Sequence, residues 1–285
     1  MLFVDNEATF TEVIDDLRGQ EIIGVDTEFV RKNTYFAQLS LIQISTPTKI
    51  YIIDPHLLKI EKLSPIFLSK TIIKIFHACS QDVKIFHNIL NIATNHIFDT
   101  QEAINFLGIK NQISYQDACL KILARPIDKE QQYRDWNVRP LPYNMIEYAA
   151  QDVEHLIELY KTLREMMIQK KIFVNFCKFM ESFSSEEFYK IKFDDLWKKV
   201  RTNETNPKYL KKLQMLATFR EYCAIELNIP RARVISDQDL NSITAYLPSN
   251  FSDLKRLNIQ LGNIKPSMMT KLFDLCAGIK EMGNR

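Results

Sequence analysis

Residues 22–29 read Ile-Ile-Gly-Val-Asp-Thr-Glu-Phe, a short apolar run that ends on Asp26, with Glu28 two positions further on. Successive side chains of a β-strand alternate between faces, so residues two apart point the same way and the two carboxylates share a site. Like charges that close repel unless a cation lies between them, which suits the pair to bind Mg²⁺ or Mn²⁺. Two solvated acids on a strand edge are the alternative, and the Asp-x-Glu spacing alone does not separate the two. What favours a site is that Asp26 directly follows Ile22-Ile-Gly-Val25, at the end of a strand composed like a buried one.

Outward from this strand (22–27), the β-branched runs 39–45 (LSLIQIS), 50–53 (IYII) and 72–76 (IIKIF) predict further strands, the first of them alternating apolar with polar side chains. Amphipathic spacing predicts helices over 80–90, with Val83, Phe86, Ile89 and Leu90 on one face, over 101–107 and 114–123, and a long one from about 143 to 170. Strands precede helices within residues 1–170, which argues for an α/β fold with a mixed sheet flanked by helices rather than strict alternation. The polar tracts ESFSSEE and RTNETNP mark 171–207 as a linker carrying a helix near Phe193–Val200. A strongly periodic helix over 208–228, the break NIPRARVIS and two or three shorter helices make 208–285 a small all-α module.

Two more elements carry carboxylates. His77-Ala-Cys-Ser-Gln-Asp82 is a strand end leading into a helix that begins near Ser80, so Asp82 falls in the first turn. There it either serves a site or simply complements the helix dipole, with Ser80 as N-cap. Tyr148-Ala-Ala-Gln-Asp152 is an i, i+4 pair on the long helix, so phenol and carboxylate face the same way. The two alanines between them let something approach that helix closely.

Taken in this order the three elements make a pattern. The chain resembles the DEDD exonuclease superfamily, in the subgroup with a tyrosine four residues before the last aspartate, and more closely it resembles ribonuclease D. The likeness rests on Arg31-Lys-Asn-Thr-Tyr35-Phe-Ala-Gln38-Leu-Ser-Leu-Ile-Gln-Ile, on HACSQD, on Phe98-Asp-Thr-Gln-Glu-Ala, and on Asp128-Lys129, Asp135-Trp136 and Arg139-Pro-Leu leading to Tyr148-Ala-Ala-Gln-Asp152-Val. It covers roughly residues 1–170. In the tail, Leu216-Ala-Thr-Phe219-Arg220, Ala224, Asn228-Ile-Pro230, Val234 and Asp239-Leu240 resemble an HRDC domain, with Phe219 where tryptophan is more usual.

The resemblance implies a ribonuclease H-like exonuclease domain over 1–170, the linker 171–207 and an HRDC domain over 208–285. It implies a 3'-5' exoribonuclease that trims RNA with a free 3' end, tRNA precursors among them, and releases 5'-mononucleotides using two divalent cations (Mg²⁺ or Mn²⁺). By that likeness Asp26 bridges both ions, Glu28 and Asp152 complete one, Asp82 supports the other, and Tyr148 orients the attacking water. An ordinary phenol, with a pKa of about 10, stays protonated at neutral pH, which suits orienting better than acidifying. Phe29, Tyr35, His77, Lys129 and Arg139 are candidate substrate contacts, each also readable as a core or rim residue.

Bulk composition narrows the classes. With 46% hydrophobic and 25% charged residues and 6 glycines among 285, the chain is an ordinary globular protein rather than a disordered or fibrous one. Its five cysteines stand at least 40 residues apart, which excludes a CxxC zinc or redox pair. Acidic residues in MLFVDNEATFTEVIDDL do not fit a signal peptide, and apolar runs such as TIIKIF are too short to span a bilayer, so the expectation is a cytoplasmic monomer with no membrane partner and no organic cofactor. Net charge is +2, but from residue 201 onward 13 Lys and Arg face 8 Asp and Glu, a surplus able to attract a polyanion. Two rival readings stand beside the exoribonuclease: the same chemistry on single-stranded DNA, and a non-catalytic RNA-binding protein.

Overall fold

The computed structural model describes residues 1–127, 135–262 and 264–283. Among them, strands β1 (Leu2–Val4), β2 (Ile22–Val30), β3 (Gln38–Ser45), β4 (Ile50–Ile53), β5 (Ile73–Phe76) and β6 (Ile97–Asp99) form one sheet in the order β1-β4-β3-β2-β5-β6. β2, β3 and β4 pair antiparallel, while β1 on β4, β5 on β2 and β6 on β5 are parallel. The sheet is therefore mixed, as the strand-then-helix order suggests. β1 and β6, three residues each, are too short to display a period and escape a reading based on alternation.

Two compact units divide the chain: residues 1–30 with 37–190, and residues 31–36 with 191–285. The first holds the sheet and helices α1 (Glu7–Arg18), α2 (Ser64–Leu68), α3 (Ser80–Leu90), α4 (Thr100–Phe106), α5 (Tyr115–Ala118), α6 (Tyr143–Glu154), α7 (Leu156–Gln169), α8 (Phe173–Met180) and α9 (Glu186–Tyr189). Its main core gathers Phe10 and Leu17 of α1, Ile23 and Val25 of β2, and Val83 and Phe86 of α3. A smaller cluster joins Leu41 of β3 and Ile52 of β4 to Trp136, Met145, Tyr148 and Ala149. The alternation of β3 does not leave a wet face: every residue from Leu39 to Ser45 is buried.

The helix expected from 143 to 170 is two helices that break at His155. Ser45 Oγ donates to the Val153 carbonyl (2.8 Å), and the His155 amide donates to the Tyr115 hydroxyl (3.0 Å), so tertiary partners take backbone groups at the break. The chain entering α6 is held by Arg139, whose Nε donates to Asp54 Oδ2 (2.5 Å) and whose Nη2 donates to Asp54 Oδ1 (3.1 Å) and to the Ser40 carbonyl (2.7 Å). Its Nη1 donates to the Trp136 and Val138 carbonyls, both at 2.8 Å.

The second unit contains α10 (Pro207–Leu227), α11 (Arg231–Val234), α12 (Asp237–Tyr246), α13 (Phe251–Arg256) and α14 (Pro266–Gly283) around Leu213, Leu216, Leu240 and Leu272. The segment 171–207 is not a free linker. Phe176, Met180 and Phe183 sit in the first core and Leu196 and Val200 in the second, so the division falls after residue 190. Residues 172–180 (IFVNFCKFM) are an apolar helical stretch that precedes the polar tracts suggesting a linker. No helix among the described residues is long and apolar enough to cross a membrane.

Asp54 is 1% exposed, so removing it leaves the Arg139 Nε without its acceptor and a partly buried positive charge without its counterion, while three carbonyls still accept from the guanidinium. Asp54→Ala is expected to cost about 3 kcal/mol of stability, read from urea denaturation; a loss below about 0.5 kcal/mol would show the pair to be incidental.

Candidate active site

β2 pairs with β5 only through Ile22, Ile23 and Gly24, but with β3 from Gly24 to Val30. Asp26 and Glu28 therefore lie beyond the end of β5, on a strand still held in register on its other side. The pairing shifts between Glu28 and Phe29, where a bulge twists the strand just past the two acids. α3, which follows β5, has Asp82 in its first turn, and the Thr27 hydroxyl donates to Asp82 Oδ1 in a short hydrogen bond. Cys79, not Ser80, occupies the capping position of α3 and makes no side-chain cap, so the capping role considered for Ser80 does not hold.

Gly24 decides how closely the junction of α6 and α7 approaches. A Cβ there would collide with Ser45 Oγ and lie 3.0 Å from Leu156 Cβ. Its absence lets β2 nest against the start of α7, while Ser45 ties the end of α6 at Val153. Ala149 and Ala150, wholly or nearly buried beside Leu41 and Ile52, let α6 lie close to β3 and β4. Tyr148 is buried, with its ring centroid 6.1 Å from that of Trp136. Gly24→Ala is expected to destabilise the chain by about 1–3 kcal/mol, measured by urea denaturation, because neither Ser45 nor the backbone of α7 can retreat without losing its own contacts.

Electrostatics show that the acids converge. Desolvation first, then the charges of Asp82, Asp152 and Glu28, push the Asp26 carboxyl well above the usual range. Burial, followed by Asp152 and Asp82, raises Glu28 to about 9. Asp82 rises to about 7, mainly by burial, against the lowering effect of the Thr27 hydrogen bond, and burial raises Asp152 to about 7. No Lys or Arg among the described residues forms an ion pair with any of the four.

In the rotamers shown, no three His, Cys, Asp or Glu side chains among the described residues close around one point as metal ligands. Asp26 and Glu28 nonetheless lie within the electrostatic reach of Asp82 and Asp152. The donor set, hard carboxylate oxygens that are buried or half-buried and have no ion pair with Lys or Arg among the described residues, fits Mg²⁺ or Mn²⁺. Gln43, paired across the strands with Asp26 and so on its face, is fully buried with neither amide atom bonded to protein. Sequence reasoning passed over it, although its place in LSLIQIS opposite the acids was a usable signal.

The expected substrate contacts fare differently. His77 has both ring nitrogens engaged, Nδ1 with Thr100 Oγ1 (2.8 Å) and Nε2 with the Ile113 carbonyl (2.9 Å), and burial lowers its pKa. Arg139 is spent on Asp54 and three carbonyls. Tyr35 belongs to the second unit, where its hydroxyl donates to Glu221 at 2.5 Å. These three side chains thus have structural partners that no residue-type argument could supply. Phe29 is half-buried against the main core. Lys129 lies outside the described residues, as do Asp128 and Arg134.

Solved structures share this architecture. Escherichia coli RNase D, described as an exoribonuclease involved in structured RNA processing, matches with a TM-score of 0.83 at 24% identity over 98% of this chain and 75% of that one. The fold of the first unit is thus that of the ribonuclease D exonuclease domain. A family model described as 3'-5' exonuclease matches residues 1–168, and the chain belongs to that family. A ribonuclease D of Bartonella henselae is 33% identical over 244 residues, 85% of this chain and 60% of that protein, so the chain spans well under two thirds of this relative's length. Brucella melitensis NrnC, solved with bound Mg²⁺, matches with a TM-score of 0.54 at 21% identity over 59% of this chain and 84% of that one.

Carboxyls whose folded pKa is raised bind protons more readily folded than unfolded. Their contribution to stability is therefore full below the unfolded value of about 4. It is lost as pH rises through about 7 for Asp82 and Asp152 and about 9 for Glu28. In EDTA, Asp26→Asn should melt higher than the parent chain near about pH 8, with the gap closing toward about pH 5. Thermal melts at both values check this, and a gap that widens toward acid pH would remove repulsion as its cause.

Proposed function

We propose that the chain is a 3'-5' exoribonuclease that hydrolyses the terminal phosphodiester of RNA with a free 3' end and releases 5'-mononucleotides, tRNA precursors being the natural substrate class. The observation that carries this reading is the set of four carboxylates from β2, α3 and α6, Asp82 buried and the others half-buried, with pKa values raised by burial and, for Asp26 and Glu28, by the charges of the others, and with no ion pair to a Lys or Arg among the described residues. The relatives named ribonuclease D and the Mg²⁺-bound neighbour support it.

Asp26, Glu28, Asp82 and Asp152 would hold two divalent cations; Asp26 and Glu28 from β2 each interact with the charges of the other three. Such ions, when bound, acidify the attacking water and offset charge on the departing 3' oxygen. The remaining work belongs to the chain. The Tyr148 hydroxyl, one helical turn before Asp152, orients the nucleophile; its ring is clamped beside Trp136, which limits the directions the hydroxyl can take. The bulge after Glu28 and the hydrogen bond from Thr27 fix where the acids stand. The second unit, read as an HRDC-like module, would add grip on the RNA through its positive surplus.

The test is digestion of 5'-labelled RNA and of 5'-labelled single-stranded DNA of the same sequence, in Mg²⁺, in Mn²⁺ and in EDTA. The expected result is stepwise shortening of RNA that EDTA abolishes; equal or faster loss of DNA moves the substrate class, and no shortening overturns the reading. Asp26→Asn should abolish turnover while RNA affinity in a filter assay stays within about threefold, and Tyr148→Phe should lower kcat about 10²-fold. Full activity in Asp26→Asn would take that carboxylate out of the mechanism.

A further inference from the structure

Asp99 ends β6 and is 1% exposed. Its Oδ1 accepts from the amides of Gln101 (2.8 Å) and Glu102 (3.2 Å), the ordinary N-cap of α4. The same carboxylate also reaches the turn between β5 and α3, where Oδ1 accepts from the Ala78 amide (3.1 Å) and Oδ2 from the Cys79 amide (2.7 Å). Ala78 has φ of +62°, a left-handed conformation that a residue with a Cβ adopts at a cost. That cost has to be met by partners, and α3 begins two residues later without a side-chain cap of its own. His77, just before the turn, is pinned through both ring nitrogens. The direction in which α3 leaves the sheet, and so the place of Asp82 in its first turn, is set by this short segment.

We propose that Asp99 is a positioning residue for the hydrolysis: by binding the Ala78 and Cys79 amides it holds the left-handed turn from which α3 presents Asp82 to the cation site. The inference rests on the function proposed above. It explains why a carboxylate stands where an N-cap asparagine would serve α4 equally well. Capping α4 needs one acceptor oxygen; holding the turn as well needs both, and an amide has only one. In Asp99→Asn the oxygen can stay on Gln101, Glu102 and Ala78, but the NH₂ then faces the Cys79 N–H, so the substitution removes the shorter of the two ties to the turn and spares the cap.

The experiment uses the full chain. kcat, KM and the Mn²⁺ concentration for half-maximal hydrolysis of a 3'-labelled oligoribonucleotide are measured for the parent, Asp99→Asn, Ala78→Gly and the double variant. Mn²⁺ binding without RNA is followed by calorimetry. Asp99→Asn should lower kcat about tenfold or more, since small misplacements of catalytic groups cost that much. KM should hold within about twofold while Mn²⁺ affinity falls about fivefold. Glycine at position 78 takes up a positive φ freely, so the double variant should regain most of the lost kcat and Mn²⁺ affinity.

A purely structural Asp99 would lower the melting temperature and active fraction without moving Mn²⁺ affinity, and glycine at 78 would restore nothing; either result overturns the proposal. Should Asp99→Asn fail to fold, Ala78→Val, which loads the same turn with Asp99 intact, must reproduce the kcat and Mn²⁺ defects, and normal values there also overturn it. An inactive parent chain would sink the proposed exoribonuclease, while the Mn²⁺ affinities still decide the role of Asp99.

Discussion

The structure depends on forcing together four side chains that repel one another. Asp82 is buried and Asp26, Glu28 and Asp152 are half-buried, and each of Asp26 and Glu28 is pushed further by the charges of the others. A fold tolerates such a cluster only if the elements bearing it are fixed by contacts elsewhere. The first unit supplies them: a sheet buried on both faces, a glycine where α7 must come close, and a helix, α6, with alanines against the sheet.

Each fixing device lies a short way from the acids rather than among them. Gly24 stands two residues before Asp26 and governs the approach of α7; Ser45, paired with Gly24 across β2 and β3, anchors α6 at Val153. Arg139 ties the chain entering α6 to Asp54 at the end of β4. Asp99 ties the turn entering α3 to the end of β6. Strand, helix and turn are thus each secured before the acids begin, and among the described residues no Lys or Arg forms an ion pair with the carboxylates.

Much of this was legible in the residues. Alternation and β-branching located β2 to β5, helical spacing located α3 to within its described ends, and the order of Asp-x-Glu, Asp82 and Tyr148-to-Asp152 pointed to one site. Where reading failed, the missing information was a partner distant in sequence. The break at His155 has no local cause, because Leu156 and Ile157 continue the apolar pattern, and it is Ser45 and Tyr115 that take the backbone there. Phe176 and Met180 fall in the stretch that the polar tracts following them mark as a linker, although their own run KIFVNFCKFM is apolar, and with Phe183 they join the main core. Arg139, His77 and Tyr35 are types that suit phosphate or base contact, and only their hydrogen bonds show them occupied.

The sequence by itself determined which elements form and which chemistry they could carry, since periodicity and side-chain type are local properties that tertiary context rarely erases over a long, regular segment. Only the tertiary structure decided that the carboxylates come within reach of one another's charges, and which polar residues are committed to fixing the elements that bear them. Those facts depend on distances between residues far apart in the chain, and both burial and Coulomb energy follow three-dimensional separation, not position in sequence.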